Sequence, residues 1–128
     1  MVSAESWPIR GGFAISRGTK ISADVVVVEL REGDVAGRGE CVPYAHYGES
    51  RDSVIEQIES LRQAVQQGID REQLQVRLPP GAARNALDCA FWDLQAKKSQ
   101  RRVWQLLELA SVRPLTTAYT LSLDSPDS

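Results

Sequence analysis

Residues Val25-Val26-Val27-Val28 are four valines in a row, set between Asp24 and Glu29-Leu30. Branching at Cβ restricts χ1 and suits these side chains to a pleated surface, so the run predicts a strand, read here as a central one. Glu32-Gly33-Asp34 supplies turn chemistry directly after it. The segment Val35-Ala36-Gly37-Arg38-Gly39-Glu40-Cys41-Val42 then pairs back most simply as an antiparallel hairpin. Gly37 and Gly39 inside that segment predict a bulge or the close approach of another backbone. An earlier strand is expected around Trp7 and Ile9, with Gly11-Gly12 opening a loop over residues 13–20. Three antiparallel strands result.

Pro43 ends the hairpin, and Tyr44-Ala45-His46-Tyr47-Gly48 forms a loop rich in aromatic and glycine residues. A helix follows. Ser53 with Glu56 has capping-box spacing and Ser50 competes as the N-cap, while Val54, Ile58, Leu61 and Val65 share one helical face. Gly68 fits the position just past that helix. Asp70 with Gln73 repeats the box for a short helix carrying Leu74 and Leu78, which Pro79-Pro80 must end because proline lacks the amide donor. A longer helix is predicted from Ala82 to about Lys98, with Ala83, Leu87, Ala90 and Leu94 on one face, Ala86 and Cys89 beside it, and Arg84 four residues from Asp88. Its small residues admit a close-lying backbone. A short helix carries Val103, Trp104, Leu106 and Leu107 as an apolar stripe expected in the core. Beyond Pro114, Thr116-Thr117-Ala118-Tyr119-Thr120-Leu121-Ser122-Leu123 is dense in strand formers and has no obvious partner in the chain. Strands, then helices, then one strand argue for an α+β fold rather than an alternating doubly wound sheet.

The 128 residues suffice for one hydrophobic core. A net charge of -2 with signs interspersed leaves no basic stripe, which argues against a nucleic-acid partner. No apolar run approaches the ~20 residues that cross a bilayer, and the N-terminus lacks signal-peptide regions, so a soluble, cytoplasmic chain without a membrane partner is expected. Cys41 and Cys89 form no Cys-x-x-Cys pair and are read as buried free thiols. His46 stands without a carboxylate or cysteine cluster and is read as a loop side chain rather than a metal ligand. Neither a dinucleotide-binding glycine motif nor a Walker loop is present.

Four ordered blocks carry a family resemblance. They are Phe13-Ala14-Ile15-Ser16-Arg17-Gly18, Gly39-Glu40-Cys41-Val42-Pro43-Tyr44, Tyr47-Gly48-Glu49-Ser50, and Ala82-Ala83-Arg84-Asn85-Ala86-Leu87-Asp88-Cys89-Ala90-Phe91-Trp92-Asp93-Leu94. Together they resemble the enolase superfamily, and within it the N-terminal capping domain of dipeptide epimerases of the L-Ala-D/L-Glu type. The resemblance implies an α+β cap over residues 1–113: a three-stranded antiparallel sheet followed by a helical bundle. Residues 114–128 then correspond to the first strand of a (β/α)-barrel that is otherwise missing. Two positions depart from the superfamily's pattern. Gln100-Arg101-Arg102 replaces a Gly-x-Pro, and Leu107-Glu108 replaces a Leu-Gly stop.

The chemistry so implied is proton abstraction beside a carboxylate, with an enolate stabilised by Mg²⁺ held on three barrel carboxylates and two lysines serving as bases. Those residues lie in the barrel. Lys97-Lys98 has the wrong spacing and context to replace the lysines, so no catalytic residue and no bound Mg²⁺ are expected of this chain, which is expected to be inactive alone. The cap's implied role is selectivity, through loops at residues 13–20 and 43–50 that close over the dipeptide. Arg17 is placed to make a bidentate contact with an acidic substrate group or to remain a solvated loop arginine. Tyr44, His46 and Tyr47 line the pocket or merely pack the loop. Thr120 faces the substrate from the barrel strand if the register carries over.

Two other readings stand beside this one. The first is the cap of a cycloisomerase or succinylbenzoate synthase. The second is a stand-alone binding module that self-associates through its unpartnered strand near Tyr119 and an exposed apolar face.

Overall fold

The computed structural model describes residues 1–15 and 18–119. Three strands, β1 (Val2–Ile15), β2 (Gly18–Glu32) and β3 (Val35–Cys41), form one antiparallel sheet in the order β1-β2-β3. The valine run lies in the central strand, as its composition predicts, with Val25 to Val28 at most 5% exposed. Gly33 and Asp34 make the tight turn into β3, where Val26 stands opposite Cys41 and Glu32 opposite Val35.

The first hairpin is longer than expected. Phe13, Ala14 and Ile15 pair with Lys20, Thr19 and Gly18, so residues assigned to a loop extend the ladder as far as Ile15 and Gly18. The register shifts between Pro8 and Phe13, where Gly11 and Gly12 take positive φ. The glycines therefore bend the strand without ending it.

Among the described residues five α-helices follow: α1 (Arg51–Ser60), α2 (Arg62–Gln66), α3 (Arg71–Arg77), α4 (Ala82–Ser99) and α5 (Val103–Leu106). Ser50 is the N-cap of α1, and Ser53, rather than Glu56, returns the capping-box contact. One continuous helix to Gly68 is not formed, because the Leu61 amide folds back on the Ile58 and Glu59 carbonyls and separates α1 from α2. The Asp70 and Gln73 box caps α3 as its spacing predicts.

Helix α4 sets the core. Its buried face is Ala83, Ala86, Leu87, Ala90 and Leu94. Against it lie the glycines of β3: a Cβ at Gly37 would meet the Ala90 carbonyl and the Leu94 amide, and one at Gly39 the Ala86 carbonyl and the Ala90 amide. Helix and strand backbones touch because both sequences are small at the contact. Val26, Val28, Val54, Ile58, Leu74 and Leu78 complete the core around them.

Several expectations change. Asp88 does not pair with Arg84; Arg71 takes it at 2.9 and 3.3 Å, while Arg84 donates to the Gln75 and Leu78 carbonyls. The Arg71 guanidinium also stacks 3.6 Å from the Trp92 ring centroid, so α3 is clamped to α4. The tertiary clamp wins because the intrahelical pair would be worth little at the surface. Cys89 is exposed, and only Cys41 is a buried thiol. The apolar stripe of α5 is only partly buried: Val103 is 36% exposed, Trp104 and Leu106 are partly covered, and Leu107 just beyond is 51% exposed. Residues 116–119 form no ladder, lacking a partner strand among the described residues, and the rest of that predicted strand lies outside them. No helix among the described residues is long and apolar enough to cross a membrane.

Candidate functional site

Two chain segments meet beside the N-terminus of α4. One is the far end of the β1–β2 hairpin, and the other is the stretch that leaves β3 at Val42. In the second, Ala45–Tyr47 forms a single 3-10 turn closed by Gly48, whose φ of 72° and whose amide hydrogen bond donated to the Ala45 carbonyl reverse the chain. A side chain there would have to adopt the left-handed region, which glycine enters freely.

The turn displays its rings outward. His46 and Tyr47 pack edge to face at 5.1 Å, and Tyr44 and Tyr47 do so at 6.4 Å, with Tyr47 76% exposed. Edge-to-face pairing favours a defined arrangement of the rings over free rotation. The Lys20 ammonium lies 5.4 Å from the Tyr44 ring centroid and thereby joins the two segments. Arg51 and Asp24, 4.0 Å apart, bridge α1 and β2.

Tyr44, His46 and Tyr47 are therefore brought together on one exposed surface, as the sequence suggests. Arg17 and Thr120 lie outside the described residues. Lys20 and Glu49 were not singled out by sequence. Glu49 accepts the Tyr44 amide at 3.1 Å on one carboxylate oxygen and the Ala82 amide at 2.7 Å on the other. The signal for it was Gly81, an N-cap without a side chain, which leaves the first amides of α4 to a remote acceptor.

Two other features fall away from this surface. An open cavity of about 1820 Å³ lies between β2, α2, α3 and the C-terminal half of α4 and touches neither segment. Lys97 and Lys98, in the last turn of α4, are engaged elsewhere: Lys97 binds Asp93 at 2.6 Å and the Ala36 carbonyl at 3.0 Å, and Lys98 pairs with Glu32. Among the described residues no three of His, Cys, Asp or Glu are grouped to hold a metal ion. These residues thus do not fit a Mg²⁺ site, and no step runs through one here.

A glycine-faced antiparallel sheet clamped by one small-faced helix matches in fold the N-terminal capping domain of the enolase superfamily. The chain belongs to the mandelate racemase / muconate lactonizing enzyme family, whose N-terminal domain it matches over residues 1–108. Among characterised relatives it is 47% identical over 126 residues to the L-Ala-D/L-Glu epimerase of Escherichia coli, covering 98% of this chain and 39% of that protein. An enolase family member from Agrobacterium tumefaciens with homology to dipeptide epimerases, solved with sodium and L-Ala-L-Glu and an ordered loop, superposes with a TM-score of 0.90. It is 47% identical, over 99% of this chain and 39% of its own. A dipeptide epimerase from Enterococcus faecalis, complexed with Mg and L-Leu-L-Tyr, is 30% identical with a TM-score of 0.70 over 84% of this chain and 33% of its own. The chain thus spans about two fifths of the length of the Escherichia coli and Agrobacterium relatives.

Proposed function

We propose that residues 1–113 are the substrate-selecting cap of a Mg²⁺-dependent, cytoplasmic dipeptide epimerase acting by α-proton abstraction, and that residues 114–128 begin its barrel. The observation that carries this reading is the joined loop surface on a chain 47% identical to relatives named for or bound to Ala-Glu dipeptides. Arg17 receives the acidic end of the dipeptide, for which a planar guanidinium fork is suited. Tyr44, His46 and Tyr47 form the wall that excludes water, and Thr120 faces the substrate from the barrel strand. The Enterococcus relative, bound to L-Leu-L-Tyr, is 30% identical. That contrast favours an acidic dipeptide here over an apolar one.

Mg²⁺ and the proton-transferring bases belong to barrel residues outside this chain. The 128-residue chain is therefore inactive alone. Incubated in D₂O with L-Ala-L-Glu and Mg²⁺, it leaves the glutamyl α-proton signal intact by ¹H NMR; loss of that signal above a protein-free control contradicts the proposal. The run from Leu107 to Tyr119 exposes Leu109, Val112, Leu115 and Tyr119, the last at 87%. The isolated chain therefore self-associates, and light scattering that gives a monomer at high concentration refutes this part.

A further inference from the structure

We infer that Glu49 is a positioning residue that sets the Tyr44–Tyr47 surface against the first turn of α4. Its two carboxylate oxygens are divided between two segments, 5 residues before it and 33 after it: one accepts the Tyr44 amide at 3.1 Å, the other the Ala82 amide at 2.7 Å. The Glu49 amide in turn donates to the Tyr44 carbonyl at 3.2 Å, closing a ring of hydrogen bonds across the base of the turn. Among the described residues no other side chain caps the N-terminus of α4, since Gly81 has none to offer. The carboxylate therefore supplies a charge where the helix favours an anion and spends its second oxygen on the loop.

Gly81 belongs to the same device. A Cβ there would sit 2.9 Å from the Glu49 oxygen that holds Ala82. That oxygen is fixed by its hydrogen bond, so the absence of a side chain keeps the carboxylate's path open. The turn carries Tyr44 and Tyr47 at its two ends, and Lys20 of the facing hairpin rests on Tyr44. Glu49, itself partly exposed, thus reaches the loop pair through the backbone of Tyr44. The relevance of this clasp to substrate rests on the epimerase reading above, but the clasp itself is testable without substrate.

The experiment uses isotope-labelled full chain and its Glu49→Gln variant. Glutamine keeps the shape but offers one acceptor, and its NH₂ faces the other backbone amide. The expected result is amide exchange faster by roughly tenfold at Tyr44 or Ala82, together with shifted ring resonances of Tyr44 and Tyr47, while Val26 and Leu74 methyl signals hold. Faster exchange confined to the first turn of α4, with both rings unmoved, makes Glu49 a helix cap only and overturns the inference. Should that variant fail to fold, Gly81→Ala leaves Glu49 in place and crowds its oxygen. The inference then requires the Tyr44 amide and ring signals to shift, and unmoved signals overturn it. A clasp that holds in a cap supporting no epimerisation would refute the function and leave the clasp standing.

Discussion

Gln100 and Glu108 hold φ of 53° and 55°, the two positive values at non-glycine residues among those described. They stand where the resemblance expects a glycine. The Gln100 backbone still closes α4, its amide reaching the Ala96 and Lys97 carbonyls, so the geometry of a glycine stop persists without the glycine. Gln100→Gly is therefore expected to raise stability by about 1 kcal/mol, read as a higher urea midpoint. An unchanged or lower midpoint would count against strain at this residue. The thiols make a second residue-scale case. Burial, followed by the nearby Glu49 charge, pushes Cys41 up to about 11, whereas Cys89 is exposed. At pH 8 a thiol reagent should label Cys89 quickly and Cys41 only on unfolding, because the thiolate is the reactive form. Equal labelling of both in the native chain would contradict this. Sequence alone did not separate the two, since Cys89 lies one helical step off the buried face of α4.

The pairing of β3 with α4 is the contact on which the fold turns. Its apolar half was legible in part: Gly37 and Gly39 left a bulge or a close backbone approach open, and the small residues of the helix admitted a close-lying backbone, without matching the one to the other. Gly39→Ala should destabilise the chain by at least ~1–3 kcal/mol, since the added methyl meets helix backbone rather than a mobile side chain. A urea midpoint within error of the parent would rule out the close approach. The polar half was not legible. Asn85 donates to the Glu40 carbonyl at 3.4 Å, Asp93 accepts the Arg38 amide at 2.7 Å, and Lys97 donates to the Ala36 carbonyl at 3.0 Å. Nothing in the sequence pairs these three with β3, yet they close its outer edge against another strand. Burial works to raise the Asp93 carboxyl, but hydrogen bonds from Lys97 and the Arg38 amide outweigh it and hold the group below its ordinary 3.8. A carboxyl lowered on folding contributes stability that is complete above the ordinary value and is lost as pH falls through the folded one. Asp93→Asn should accordingly lower the urea midpoint near neutral pH, with the gap to the parent narrowing below about pH 3.8. A gap that stays constant to low pH would remove the Asp93 charge from the account.

At the scale of the whole molecule, the loop surface and the open cavity occupy opposite ends of the sheet. Helix α4 runs between them, with Ala82 beside Glu49 at one end and Lys98 and Ser99 lining the cavity at the other. The order of strands and helices and the ends of α3 and α4 could be read from periodicity and capping residues. The extension of the first hairpin could not, because Gly11-Gly12 carries the same local signal whether it bends a strand or ends it. The tyrosines of the turn were legible as a cluster, being close in sequence. Lys20 and Glu49 were not, because their partners lie 24 and 33 residues away. The central claim is that this chain supplies selection while a barrel supplies the chemistry. Its most direct test replaces the matching N-terminal segment of the Escherichia coli L-Ala-D/L-Glu epimerase with this chain and follows α-proton exchange of L-Ala-L-Glu in D₂O. The account predicts exchange by the folded chimera and none by the chain alone; exchange by the chain alone, or none by a chimera shown to be folded, would contradict it.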